Sequence, residues 1–261
     1  MVLKKSLGQH FLKDESILIK IVDALQQNPF TQLLEVGPGG GALTKHLINL
    51  PGIDFKAVEL DDDKVAQLPK NLPHTKGKII HKNFLHIDPP FEGQFTIIGN
   101  FPYNISTEIL FKSIDWKDQV ETIIGMFQKE VAQRVAAPAG SKVYGVISVL
   151  IQAFYDVEYL FDVLPQSFTP PPKVMSGVIR LTRAADTLSV KSERSFKVLV
   201  KTAFNQRRKM LRNAVKSLFD ATTLQDEIFN KRAEQLTKED FAALSFKMIG
   251  DPALPTIASL S

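Results

Sequence analysis

LLEVGPGGGALT, residues 33–44, passes from a short apolar run into five residues of which four are glycine, and then into helix-forming sequence. Leu33–Val36 reads as a buried strand, Gly37–Gly41 as a tight turn, and Ala42 onward as a helix. Glycine lets the chain turn sharply and lets a ligand approach the backbone. A loop of this kind after the first strand lies at the carboxyl edge, where open α/β sheets bind ligands. Taken literally, residues 37–42 also match the G-x-G-x-x-A of a dinucleotide site, so the loop alone does not choose a cofactor.

Outward from the loop, strands and helices alternate. Residues 14–27 read as an amphipathic helix capped by Asp14, with Ile17, Ile21, Val22 and Leu25 on one stripe. Gln32–Val36, Asp54–Leu60, Lys78–Asn83, Phe95–Asn100 and Thr122–Gln128 read as strands, with helices at Ala42–Leu50 and Asp62–Leu68. Val146–Phe154 and Ser176–Leu181 are expected to complete the sheet. The alternation predicts an α/β fold with a mainly parallel sheet covered on both faces. Near Ala184–Ser192 the sequence turns small and polar, and the rest of the chain reads as helical with no strand signal. The expected domains are therefore 1–185 and 186–261.

Composition narrows the function. The chain has no cysteine, which excludes disulfides, thiolate metal sites and a cysteine nucleophile, and its five histidines lack ligand spacing, so no metal is expected. There is no apolar run of bilayer length and no signal-peptide core at the start, which points to a cytosolic protein that engages no membrane. Residues 186–261 hold 13 Lys and Arg against 9 Asp and Glu, which accounts for the whole net charge of +4. Nine basic residues fall in 191–216 against the single acid Glu193. A neutral first domain followed by a cationic one suits polyanion binding, although a charge run is also an ordinary solvated face.

Three acceptors refine the ligand. Glu35, just before the first glycine, would repel a pyrophosphate but meets an ammonium group. Glu59, ending the next strand, is placed to accept both ribose hydroxyls of an adenosine, or else belongs to the solvated acidic run 59–63. Asn83 ends the third strand, near where the adenine would lie. An adenosine bearing a cationic amino-acid tail is S-adenosylmethionine. The stretch IIGNFPYN, 97–104, then ends a buried strand on more than a turn requires. Pro102 holds the backbone, so the Phe101 carbonyl and the Asn100 amide form a fixed pair of acceptors beside the flat face of Tyr103. That set suits a planar ring with an exocyclic amino group; a proline turn with two packed aromatics is the plainer account.

Eight ordered segments, KKSLGQHFL at 4–12 with Lys5, EVGPGGGALT at 35–44, VELD at 58–61, NFPYNIST at 100–107, QKEVAQR at 128–134, KVYGVISV at 142–149, FTPPPKVMSGVIRL at 168–181 and FNQRRKMLRNAV at 204–215, resemble the bacterial small-subunit ribosomal RNA adenine dimethyltransferases, the kasugamycin-sensitivity family. The resemblance extends over nearly the whole chain. It implies a Rossmann-like class I methyltransferase domain with a small C-terminal all-helical domain. It also implies dimethylation of two adjacent adenosines in a hairpin loop near the 3′ end of small-subunit rRNA during ribosome assembly. By position, His10 and Leu12 correspond to residues lining the methionine end of the cofactor, Gly37 in the Gly37–Gly39 turn to a backbone contact, Glu59 to the ribose ligand, Asn83 to the adenine contact and Asn100 to the first residue of the catalytic motif. This sequence departs from the family at Asn83, commonly Asp, at Phe101, commonly Leu, and at Glu108, commonly Pro.

On that reading Asn100 Oδ1 and the Phe101 carbonyl accept the two amino hydrogens of the target adenine, with Pro102 rigidifying the turn. Tyr103 stacks on the base, and Phe168 is the candidate for its opposite face, or else a core anchor. A helix through Phe204–Phe219 would turn Ala203, Met210, Leu211, Ala214 and Leu218 inward and leave Arg207, Arg208, Lys209 and Arg212 for phosphates. Three alternatives remain at this level: a large-subunit rRNA methyltransferase of the antibiotic-resistance type, a non-catalytic assembly factor, and a nicotinamide-dependent oxidoreductase, which has no account of NFPY. Nothing in the sequence requires a dimer.

Overall fold

The computed structural model of the protein describes residues 10–250 apart from residue 187. Lys5 and the rest of the first nine residues lie outside the described residues. Chain order begins with strand β1 (Phe11–Leu12), helix α1 (Glu15–Leu25), β2 (Gln32–Val36), α2 (Thr44–Leu47), β3 (Asp54–Glu59), α3 (Asp62–Asn71), β4 (Ile79–His81), β5 (Phe95–Asn100), α4 (Ser106–Asp115), β6 (Val120–Gln128) and α5 (Lys129–Val135). It continues with α6 (Val146–Gln152), β7 (Tyr155–Val163), β8 (Phe168–Thr169), β9 (Ser176–Arg183), α7 (Glu193–Asn205), α8 (Leu211–Ala214) and α9 (Lys238–Phe246). No helix among the described residues is long and apolar enough to cross a membrane.

Seven strands form one sheet in the order β4-β3-β2-β5-β6-β9-β7. The first five are parallel to one another, and β9 runs antiparallel to β6. Leu33, Leu34, Ile97, Ile98, Ile123 and Ile124 are essentially inaccessible, as expected of parallel strands covered on both faces. The order runs outward in one direction from β2 to β4 and in the other from β5 to β6. The switch point therefore lies between β2 and β5, and a crevice opens beyond their carboxyl ends. Glu35 pairs with Ile98, which places the glycine loop after Val36 directly beside Asn100–Tyr103.

The α1 helix starts where sequence predicts. Asp14 Oδ1 accepts from the Ser16 amide at 3.1 Å, and Leu18, Ile21, Ala24 and Leu25 are buried. The expectation of a strand over Val146–Phe154 is overturned. VISVLIQ forms α6, started by the Gly145 amide donating to Ser148 Oγ at 3.0 Å, while that hydroxyl donates to the Arg134 carbonyl. A seven-residue segment with five apolar residues fits a buried helix as well as a buried strand. The neighbouring strand is β7, YDVEYLFDV, whose polar–apolar alternation is the signal of a half-exposed strand at a sheet edge.

The chain divides into two compact units. One contains the described residues up to Gln133 together with Asp156–Arg183, and holds the sheet. The other contains Arg134–Tyr155 together with the described residues from Ala184 onward. Segment 134–155 was expected in the first domain. It joins the second because α6 buries its apolar residues beside α7 and α9 rather than supplying a strand.

Within that second unit, Phe196, Leu199, Val200, Phe229, Leu236 and Phe241 make a core, and Phe204 lies edge-on to Tyr144 at 6.0 Å. The helix expected through Phe204–Phe219 is broken. It ends at Asn205, with Gln206 outside helical geometry, and resumes only at Leu211–Ala214. Ala203, Leu211, Ala214 and Leu218 are buried as expected, whereas Met210 is exposed. Just past the break, the Arg207 guanidinium turns to Glu234 and to the carbonyls of Ser141 and Lys142.

Candidate active site

At the switch point lies a cavity of about 420 Å³, entirely within the sheet-bearing unit. Its walls bring together every predicted cofactor residue, His10, Leu12, Glu35, Gly37, Gly39, Glu59 and Asn83, with Asn100, Phe101, Pro102 and Tyr103. Residues as distant in sequence as 10 and 103 thus meet at one sheet edge.

The glycine loop supplies the floor. Gly37, Gly39 and Gly41 have φ of +71°, +54° and +83°, where a side chain is strained. The Gly37 amide donates to the Val58 carbonyl at 2.9 Å, and the Gly39 amide to Glu59 Oε2 at 3.0 Å. Glu59 Oε1 accepts from the amides of Leu60 and Asp61, each at 2.9 Å. Glu59 is therefore a fixed carboxylate rather than a member of a solvated run, and its oxygens retain lone pairs toward the cavity. Asn83 Oδ1 accepts from the Leu85 amide at 3.0 Å, which orients the amide at the cavity wall.

Glu35 is the unusual group. It is 2% exposed, and Oε2 has no hydrogen-bond partner among the described residues. Burial pushes its carboxyl up to about 8; the Glu59 carboxylate acts in the same direction, and the Thr44 hydroxyl opposes it. An orphaned acid in the wall of a ligand-sized cavity fits an amino-acid ammonium and is a poor neighbour for a phosphate. The free protein binds the Glu35 proton more tightly than the unfolded chain does, so the contribution of this group to stability is greatest below about pH 4.5 and is lost as the pH rises toward 8. Melting curves of the protein and of Glu35→Gln across that range should diverge, the substituted protein lacking this downward slope.

The Asn100–Tyr103 turn lines the same cavity as the loop. Asn100 Nδ2 donates to the His10 carbonyl at 2.9 Å, leaving Oδ1 as an acceptor. No donor among the described residues takes the Phe101 carbonyl. The Phe101 side chain is 1% exposed and lies edge-on to Phe127, with ring centres 5.2 Å apart. It fills the space above the paired glycines Gly99 and Gly125. This explains a residue larger than leucine at 101: the two glycines make room for its ring. The Tyr103 hydroxyl bonds Ser176 Oγ at 2.5 Å, and its ring lies 5.6 Å from that of His10. Burial raises the pKa of this phenol, so it is neutral.

Phe168 is not in this cavity. It is 1% exposed and packs in the core with Leu12, Leu18 and Val178, because β8 pairs with β1 and directs Phe168 inward and Thr169 outward. Its role as the opposite face of the base is withdrawn. Sequence reasoning passed over Phe11, although it stands inside the quoted GQHFL. Its ring lies where a Cβ on Gly39 would come within 3.1 Å. Ser176, the partner of Tyr103, gives no sequence signal at all.

In the second unit the four predicted cations separate. Arg208 and Lys209 are exposed, whereas Arg207 is held by Glu234 and two carbonyls, and Arg212 donates to Asn230. An isolated bridge between Met210 and Arg232 brings exposed Lys231 and Arg232 beside the Arg208–Lys209 turn, and the Arg207 bond to the Lys142 carbonyl adds exposed Lys142.

Comparison with known proteins agrees with this geometry. The family model described as ribosomal RNA adenine dimethylase matches residues 2–249. The ribosomal RNA small subunit methyltransferase A of Flavobacterium johnsoniae is 50% identical over 252 residues, covering 95% of this chain and 96% of the relative. That of Parabacteroides distasonis is 51% identical over 246 residues, covering 93% and 92%. Among solved structures, a dimethyladenosine transferase from Plasmodium falciparum superposes with a TM-score of 0.78 at 24% identity, covering 89% of this chain and 94% of that one, and supports the fold. The chain belongs to the ribosomal RNA adenine dimethylase family.

Proposed function

We propose that the protein transfers methyl groups from S-adenosylmethionine to the exocyclic amino groups of two adjacent adenosines in a hairpin loop near the 3′ end of small-subunit rRNA, in the cytoplasm during ribosome assembly. The observation that carries this reading is the meeting, in one cavity, of an orphaned carboxyl at Glu35 with the acceptor pair of Asn100 Oδ1 and the Phe101 carbonyl. The names of relatives about half identical to this chain favour the small subunit over the large one.

The residues divide the work. Glu35 would take the ammonium of the cofactor, Glu59 the ribose and Asn83 the adenine, while Gly37 and Gly39 keep the floor free of side chains. When bound, the cofactor supplies an electrophilic methyl group on a sulfonium. The adenine amino nitrogen is a poor nucleophile because its lone pair is delocalised into the ring. Acceptance of its two hydrogens by Asn100 Oδ1 and the Phe101 carbonyl draws that pair out of the ring plane and aims it at the methyl group. The protein contributes positioning and electrostatics, and the nitrogen releases its proton once alkylation has made it acidic. Tyr103 stacks on the base, which is worth ~1–3 kcal/mol. A hairpin loop suits such a pocket because its bases unstack most cheaply.

Transfer of labelled methyl to undermethylated small subunits, with large subunits in parallel and nucleoside mass spectrometry as readout, tests the reading. Dimethyladenosine on small subunits alone is expected. Label on large subunits would move the protein to the resistance-type reading, and binding without label would leave an assembly factor.

Phosphate contacts are assigned to the exposed cations Arg208, Lys209, Lys231, Arg232 and Lys142. Replacing Arg208 and Lys209 by alanine should weaken subunit binding and flatten its salt dependence by about one unit of slope for each phosphate left without its cation. Arg207→Ala should instead lower thermal stability by about 1–2 kcal/mol, because its hydrogen bonds to Glu234 and the two carbonyls disappear. Binding titrations at several salt concentrations, beside melting curves, separate the two effects.

A further inference from the structure

We infer that the segment His10–Leu12 is a positioning element for methyl transfer: the backbone carbonyl of His10 selects the orientation of the Asn100 amide that presents Oδ1, and not Nδ2, to the target amine. The inference rests on the methyl-transfer reading of this pocket. An asparagine amide has two ends of nearly equal size and opposite hydrogen-bonding sense. With Nδ2 turned to the base, donor would face donor and the nitrogen would lose one of its two acceptors. A carbonyl can only accept, so the 2.9 Å bond from Asn100 Nδ2 to His10 O fixes the productive end.

That carbonyl is itself held. The His10 ring bonds the Pro170 carbonyl through Nδ1 at 2.8 Å. Phe11 and Leu12 pair with Thr169 and Phe168, and the Lys13 amide donates to the Ser167 carbonyl at 2.9 Å. Leu12 is buried in the core. The Phe11 ring rests on the glycine loop at Gly39, with the Lys64 ammonium 4.9 Å from its centre. One short strand therefore touches the cofactor floor with a side chain and the catalytic amide with a carbonyl.

Asn100→Asp tests the inference because it keeps an acceptor oxygen and removes the donor. The ionised carboxylate repels His10 O, while the protonated acid restores the bond. Glu35, Glu59, Lys45, Lys82, His10 and Tyr103, which line the cavity, and Lys64 over the Phe11 ring are the same in both proteins. We expect kcat at neutral pH to fall about a hundredfold, and the ratio of variant to unsubstituted activity to climb as the pH falls, by up to about tenfold per unit. A second pair of variants probes the tether. His10→Leu should lose about tenfold in kcat with little change in the KM for RNA, and His10→Asn, which keeps a side-chain donor near the Nδ1 position, should recover part of that loss. As a readout independent of turnover, solvent exchange of the Asn100 side-chain amide protons in the full chain should be slowed in the unsubstituted protein and in His10→Asn, and fast in His10→Leu. A ratio independent of pH, or equal exchange and equal kcat in the two His10 variants, would overturn the inference while leaving the function intact. Absence of transfer by the unsubstituted protein would overturn both.

Discussion

Asn100→Ala should lower kcat for methyl transfer about a thousandfold while the protein stays folded and still binds subunits. Oδ1 is the only side-chain acceptor assigned to the target amine, and removal of one preorganised electrostatic contact from an active site typically costs 10²–10³-fold in kcat, roughly 3–4 kcal/mol. The upper part of that range applies because the amide arrives already oriented, by its bond to His10 O, and has no reorganisation left to undergo. Stability should change little. Asn100 is half-buried at the end of β5, and its truncation leaves unpartnered only a carbonyl that borders the cavity and is open to water. Affinity for subunits should also hold, since the cations proposed to contact phosphates lie in the other compact unit. Single-turnover transfer with saturating cofactor, beside a subunit-binding titration, checks both halves. Activity within tenfold of the unsubstituted protein would remove Asn100 Oδ1 from the mechanism.

The parts of this site that were legible in the sequence share a property: local residues suffice to specify them. LLEV followed by GPGGG can hardly be other than a strand entering a tight turn, and FTIIGN is a continuous apolar run of the kind a parallel strand buried on both faces requires. The parts that were illegible depend on partners far away in the chain. An aromatic residue next to prolines reads alike whether it faces a ligand or the core, and Phe168 was decided by pairing with Leu12, 156 residues earlier. Arg207 and Arg208 differ in no local respect. Only Glu234 and the carbonyls of 141 and 142, all distant in sequence, hold the first and not the second. VISVLIQ was ambiguous for a different reason, since a segment of seven residues, five of them apolar, is too short to carry a usable period. The alternation of YDVEYLFDV was present and would have located the missing strand.

Gly99→Ala should damage both the stability and the activity of this protein. Gly99 stands between Ile98 and Asn100, at the level where β5 separates from β2 to open the crevice. A Cβ there would lie 2.5 Å from the Val36 carbonyl oxygen and 2.8 Å from the Phe101 ring. The ring cannot retreat, because a Cβ on Gly125 would itself be 2.5 Å from it and Phe127 closes the remaining side. The backbone must therefore yield, which displaces either the start of the glycine loop or the Phe101 carbonyl. Overpacking of a close-packed core costs 1–3 kcal/mol, and the absence of a flexible neighbour places this case near about 3 kcal/mol. A shift of the reacting groups by about 1 Å costs a further hundredfold or so in transfer. Phe101→Leu alone should cost roughly 1 kcal/mol, because it leaves part of the space above Gly99 and Gly125 unfilled, and added to Gly99→Ala it should not restore activity, because the clash with Val36 O remains. Melting temperatures and transfer rates of the two single variants and the double variant decide the matter. Recovery in the double variant would show that the ring, and not the strand backbone, sets the spacing between cofactor loop and catalytic turn.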